Sequence, residues 1–161
     1  MFNFNNGYLT PNKAIEAPEE EFANYFAYTL SDIIHRTELF KEYQAFIEAF
    51  SEQITPNFEV WIGGSFTTKK EFPKDIDLVI FADYEVLHKK EKEFDVLKMN
   101  HKRRNKRLDI YKVAVYPINH NYFSWYESDK LEWLHFFTNT KKHKLRGKSI
   151  SRGFIKITYY E

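Results

Sequence analysis

Asp75 and Asp77 stand two positions apart, at the mouth of an apolar run that continues from Ile76 to Ala82. Alternate residues of a strand point to one face, so both carboxylates aim at one place. Two anions held side by side raise one pKa unless a cation joins them. A hard, oxygen-seeking ion such as Mg²⁺ resolves that conflict, and it usually brings triphosphate oxygens as its other ligands. Upstream, Gly63, Gly64 and Ser65 close a second apolar run, Phe58 to Ile62. Glycines let a backbone approach phosphate closely, and bare amides with a serine hydroxyl donate to its oxygens. Ser65 is placed to start a helical turn whose positive end adds to the attraction. Lys69 and Lys70 are either within reach of triphosphate oxygens or part of a solvated loop. The set suggests chemistry on a nucleoside triphosphate.

A third carboxylate is needed to deprotonate a hydroxyl or to hold a second metal. Asp109 is the candidate, near the start of a third strand, the alternating stretch Leu108 to Tyr116. If that strand neighbours the one carrying Asp77, the three acids converge. Two ions held there would activate an attacking oxygen and steady a leaving pyrophosphate, with catalysis resting on positioning and charge neutralisation. The competing reading pairs Asp109 with Arg107 or Lys112 as a structural ion pair.

The rest of the chain must position these groups. Residues 1–18 read as an extended arm, with Tyr8 and Leu9 placed to dock on the body. Pro18 and Glu19, Glu20 and Glu21 favour a helix start, and Phe22, Tyr25 and Phe26 supply its apolar face. A longer helix is predicted from Ser31, as cap, to Gln53; Leu39, Phe40, Tyr43, Phe46, Ile47 and Phe50 form its buried stripe. Pro73 limits regular structure between Ser65 and Lys74. Tyr84 to Lys98 reads as a charged helix with Val86, Leu87, Phe94 and Leu97 as its apolar set. Asn100 to Arg107 reads as a basic loop. Tyr122 to Phe137 reads as an aromatic helix anchored by Trp125, Leu131, Trp133, Leu134 and Phe137. Residues 138–152 have the polar, basic composition of a mobile loop, before a last strand from Gly153 to Tyr160. Strands alternate with helices in one domain spanning 1–161. The expected class is α+β (mixed α/β), with a small twisted mixed sheet flanked by helices.

Composition narrows the chemistry. The net charge of +1 makes the whole chain a poor polyanion binder. With no cysteine, a disulfide framework, a zinc–thiolate site and a thiol nucleophile are excluded. The six histidines show no metal-ligand spacing. Aromatic residues reach 19%, so the core is expected to be built largely of rings, each buried tyrosine needing a hydroxyl partner. No apolar run approaches the ~20 residues of a membrane span, and the first residues lack the layout of a secretory signal. A soluble cytoplasmic protein is the expectation.

These residues also carry a resemblance. Gly64-Ser65-Phe66-Thr67-Thr68, then Pro73-Lys74-Asp75-Ile76-Asp77, then Asp109 on a later strand resemble the signature of the nucleotidyltransferase superfamily, the polymerase-beta-like fold. Within it the chain is similar to small bacterial nucleotidyltransferase-like proteins. The Gly7–Pro11 arm and the Arg152–Ile155 stretch resemble the same group more weakly. The resemblance implies transfer of a nucleoside monophosphate from an NTP to a hydroxyl with Mg²⁺. It implies phosphate binding by Gly64 and Ser65, metal binding by Asp75 and Asp77, and completion of the metal triad by Asp109. The acceptor is an RNA, a protein or a small molecule, and some relatives act in toxin–antitoxin pairs. The chain departs from the pattern in Pro73 and the adjacent lysines, and in lacking an extra helical domain for base or acceptor recognition.

Two other readings compete. One is a non-catalytic member that senses nucleotide or binds a partner. The other is an RNA-binding module that uses two basic runs, Lys102, Arg103, Arg104, Lys106 and Arg107 in the first and Lys141 to Arg152 in the second.

Overall fold

In the computed structural model, which describes residues 1–104, 107–140 and 147–161, the chain runs from an N-terminal hairpin into alternating strands and helices. The hairpin pairs β1 (Asn3–Asn5) with β2 (Tyr8–Thr10). Asn6 and Gly7 both take positive φ, 51° and 83°, the geometry that an Asn-Gly turn adopts between twisted strands. The first 18 residues are thus not a plain extended arm. They fold into this hairpin and then β3 (Ala14–Glu16). Leu9 docks as expected and is fully buried.

Among the described residues, β3, β7 (Phe154–Tyr159), β4 (Phe58–Gly63), β5 (Ile76–Asp83) and β6 (Leu108–Val115) form one mixed sheet in that order. β4 runs antiparallel to both β5 and β7, whereas β5 and β6 run parallel. The fold is therefore the expected α+β class, a mixed sheet flanked by helices. Side-chain alternation splits the core into two layers. Val60, Ile62, Leu78, Ile80 and Ile110 face one side. There they meet α1 (Glu19–Phe26) and α2 (Ile33–Gln53) through Phe22, Phe26 and the stripe Leu39, Phe40, Tyr43, Phe46, Ile47 and Phe50. Trp61, Val79, Phe81 and Val113 face the other side and meet Phe137 of α5 (Phe123–Thr138). The buried Tyr43 hydroxyl finds its partner in Tyr159, 2.8 Å away, and Tyr159 donates to Glu19 at 2.6 Å.

Several local expectations change. Ser31 does not cap α2; its hydroxyl donates to Glu71 at 3.1 Å, and the helix starts after Asp32. The helix expected from Tyr84 breaks at Lys90 into α3 (Tyr84–Lys89) and α4 (Glu91–Arg104), with the Asp83 carboxylate capping α3. Leu87 and Phe94 are buried as expected. The described part of the basic segment up to Arg104 is not a loop, because α4 continues through Lys102, Arg103 and Arg104, where cations complement the helix C-terminus. Lys106 lies outside the described residues. On α5, Trp125 and Leu131 are 61% and 64% exposed, so they anchor nothing; Phe137, Trp133 and Leu134 do. Of the 138–152 stretch, residues 141–146, and with them Lys141, lie outside the described residues. Its two ends are tied together, Asn139 bridging Ser151 and the Arg152 amide donating to the Thr138 carbonyl at 2.9 Å.

Candidate active-site cleft

The strand register assembles the site. Asp77 stands opposite Gly63 on β4 and opposite Asp109 on β6. All three positions belong to the sheet face that α5 covers, along with Tyr111 two residues on in β6; Asp75 directly precedes β5. At Gly63 a Cβ would run into the Phe137 ring; at Gly64 it would run into the Asp77 carboxylate. Gly64 also has φ +69°, a conformation that side chains resist. The glycine pair therefore does two jobs. Gly63 lets α5 close on the sheet, and Gly64 lets the chain turn against a carboxylate.

A single 3-10 turn follows, Ser65–Thr67. A turn of this length has no helix dipole to offer, so any phosphate there would be held by amides and the Ser65 hydroxyl. Two buried arginines fix the turn from behind, and one of them, Arg36, is marked by no motif in the sequence. Arg36 is completely buried on α2. Its guanidinium donates to the carbonyls of Phe66 (2.7 Å), Thr68 (2.9 Å) and Lys70 (2.8 Å), and to Phe26 (3.1 Å). Asp32 receives its Nε at 3.0 Å and also takes the Phe72 amide at 2.8 Å, at a residue with φ +53°. Burial lowers the Arg36 pKa, and Asp32 opposes that shift. Arg152, the last residue of the second basic run, is buried too. It donates to the Gly64 carbonyl at 2.7 Å and to the Thr67 hydroxyl. Burial pulls its pKa down to about 10, against the opposing charges of Tyr8 and Asp77. It stays charged at neutral pH.

The turn, both strand-mouth aspartates and the hairpin enclose a cleft of about 940 Å³. Gly64, Ser65, Lys69, Lys70, Asp75 and Asp77 all line it. Lys74, Arg152 and the α5 end, with His135, Phe136 and Asn139, line it as well. The hairpin holds the lysine segment in place: the Lys69 amide donates to the Gly7 carbonyl at 3.0 Å, and its ammonium lies 4.7 Å from the Phe4 ring centre.

Asp109 shares the face but does not line the cleft. Its Oδ2 accepts the Tyr111 hydroxyl at 3.2 Å. Tyr111 has its pKa raised by burial first and then by the charges of Asp109, Asp77 and Asp75, so the three acids share one electrostatic field. Among the described residues, no three His, Asp or Glu side chains gather tightly enough to hold a metal ion. The donor type fits a hard divalent cation; in this state the three acids do not close on one point. Neither alternative partner takes Asp109: Arg107 bonds Glu42 of α2 at 2.7 Å through Nε, and Lys112 lies over the Phe94 ring at 4.6 Å. Arg107 is thus structural and does not form part of an exposed basic loop.

The chain matches the family of unknown function DUF6932 over residues 2–158. The chain belongs to that family. No curated protein and no solved structure matches it. No helix among the described residues is long and apolar enough to cross a membrane.

Proposed function

We propose that this member of the family is a Mg²⁺-dependent nucleotidyltransferase of the polymerase-beta-like kind, moving a nucleoside monophosphate from an NTP to a hydroxyl acceptor. One observation carries the reading: Gly64 turns directly against the Asp77 carboxylate, with Asp75 and the lysine segment lining the same cleft. That arrangement sets phosphate-suited amides, cations and paired carboxylates around one space. Asp75 and Asp77 would hold the cation, and Asp109 would join them once the cation offsets their mutual repulsion. The ion, when bound, neutralises triphosphate charge and activates an oxygen nucleophile. Ser65 and the amides after Gly64 bind phosphate oxygens. Lys69, Lys70 and Lys74 offset the remaining negative charge, and Arg36 and Arg152 keep the turn in its binding shape.

Incubation with each labelled NTP, Mg²⁺ and RNA, protein or small hydroxyl acceptors tests this. Label transfer is expected, and it is expected to disappear in Asp75→Asn and Asp77→Asn. Transfer that persists in both variants would sink the mechanism.

The Tyr111 hydroxyl on Asp109 favours a second reading, a member that binds nucleotide without transferring it. NTP binding by calorimetry with no turnover over any acceptor in the wild type, and turnover gained in Tyr111→Phe, would select that reading.

A further inference from the structure

The Gly64–Ser65 turn, the lysines and the aspartates line one part of the cleft, and the last turn of α5 with the residues that follow it lines another. Phe136 belongs to that second part and is 53% exposed. The ring is nonetheless held firmly. It meets Trp133 edge-on at 5.6 Å and Phe137 at 5.7 Å. Trp133 in turn rests on Tyr111 at 4.7 Å, and Phe137 is buried over Gly63. An apolar ring fixed by two neighbours in a cleft rimmed with lysines adds little to the core and leaves apolar surface in water.

Hydrogen bonds tie the segment after this ring to the Gly64–Ser65 turn. The Arg152 amide donates to the Thr138 carbonyl at 2.9 Å, and the Arg152 side chain donates to Gly64. The Asn139 amide group donates to the His135 carbonyl at 2.9 Å, which ties the exit of α5 back onto its last turn. The α5 end and the Gly64–Ser65 turn are thus two walls of one braced cleft.

We infer that Phe136 is the stacking platform for the nucleobase of the bound nucleotide, with the triphosphate directed toward Ser65, Lys69 and Lys70. This rests on the nucleotide reading above and sharpens it: the ligand class is a base-bearing nucleotide, as opposed to a bare polyphosphate or a sugar phosphate. Stacking accepts any base, because each has a π-face. A ring already immobilised loses little entropy on binding.

Calorimetry of the full chain with Mg²⁺, using ATP and inorganic tripolyphosphate as separate probes, tests it. The wild type is expected to bind ATP about tenfold more tightly than tripolyphosphate, in the range of one base–aromatic stack. Phe136→Ala should erase that difference and leave tripolyphosphate binding unchanged. Phe136→Trp should keep the difference, which separates a lost stack from a damaged fold. A Lys69→Ala, Lys70→Ala double variant should weaken both ligands. Equal binding of the two probes by the wild type, or equal weakening of both by Phe136→Ala, overturns the stacking inference and leaves the phosphate site standing. Binding of neither probe by the wild type overturns the inference together with the nucleotide reading.

Discussion

The α-carbon of Gly64 sits against the carboxylate of Asp77, so close that a methyl group on Gly64 would collide with it. Gly64→Ala adds that collision to the cost of a side chain at φ +69°. The backbone cost alone is about 1–3 kcal/mol. We expect urea denaturation to show a loss of at least that size. Calorimetry should show ATP affinity falling, because the carboxylate and the turn can no longer hold their positions together. A variant that keeps wild-type stability and ATP affinity would remove Gly64 from the account.

Arg36 is the support on which the Ser65–Thr67 turn rests. Arg36→Met leaves the buried Asp32 without its cation, and the carbonyls of Phe66, Thr68 and Lys70 without this donor. Breaking a buried pair of this kind costs about 3–5 kcal/mol. Arg36→Lys should recover only part of it, since an ammonium cannot span the fork of acceptors that a guanidinium reaches. Denaturant titration of both variants measures the order, and a lysine variant as stable as wild type would contradict the role assigned to the fork.

Much of the site was legible in the sequence, and the contrast with what was not is instructive. Asp75, Asp77 and Gly64 declare themselves through local chemistry: a period of two in a strand, and small residues at a turn. The Asp77–Asp109 neighbourhood follows once both runs are read as adjacent strands. Asn6-Gly7 carried a hairpin signal in plain view that a reading of the first 18 residues as an arm passed over. Arg36 could not be found in this way. It sits inside a helical pattern, and its value comes from carbonyls 30 to 34 residues away. Arg152 and Arg107 look alike as members of basic runs, yet one is buried behind Gly64 and the other pairs with Glu42. Charge runs record composition, and only tertiary contacts distinguish a solvated cation from a structural one. Trp125 and Leu131 fail for a related reason: α5 packs through the face that carries Tyr126, Trp133, Leu134 and Phe137, and these two residues lie off that face.

A buried histidine sets a pH response away from the cleft. The His101 side chain is only 9% exposed and lies 3.9 Å from Glu42, whose other oxygen takes Arg107. His101 Nε2 and Glu42 Oε2 have no hydrogen-bond partner; the Phe46 ring closes the site from α2. Burial lowers the His101 pKa below its ordinary value of 6.5, with Glu42 opposing the shift. The unfolded chain then binds this proton first as pH falls, so stability rises with pH across that window. Stability should decline as pH drops through about 6.5 and level off below the folded pKa. His101→Gln should remove that share of the decline. Denaturant titrations of both proteins across pH check it, and a wild-type minus variant difference that is flat in pH would contradict it.

The central claim is that one cleft holds a triphosphate and a divalent cation on Asp75 and Asp77. A crystal soaked with a non-hydrolysable ATP analogue and Mn²⁺, examined by anomalous scattering, tests it most directly. The account predicts a metal peak touching both carboxylates, the triphosphate along Ser65 and Lys69, and Asp109 drawn toward the ion. Nucleotide in the cleft with no metal on either aspartate, or nucleotide bound elsewhere on the chain, would contradict it.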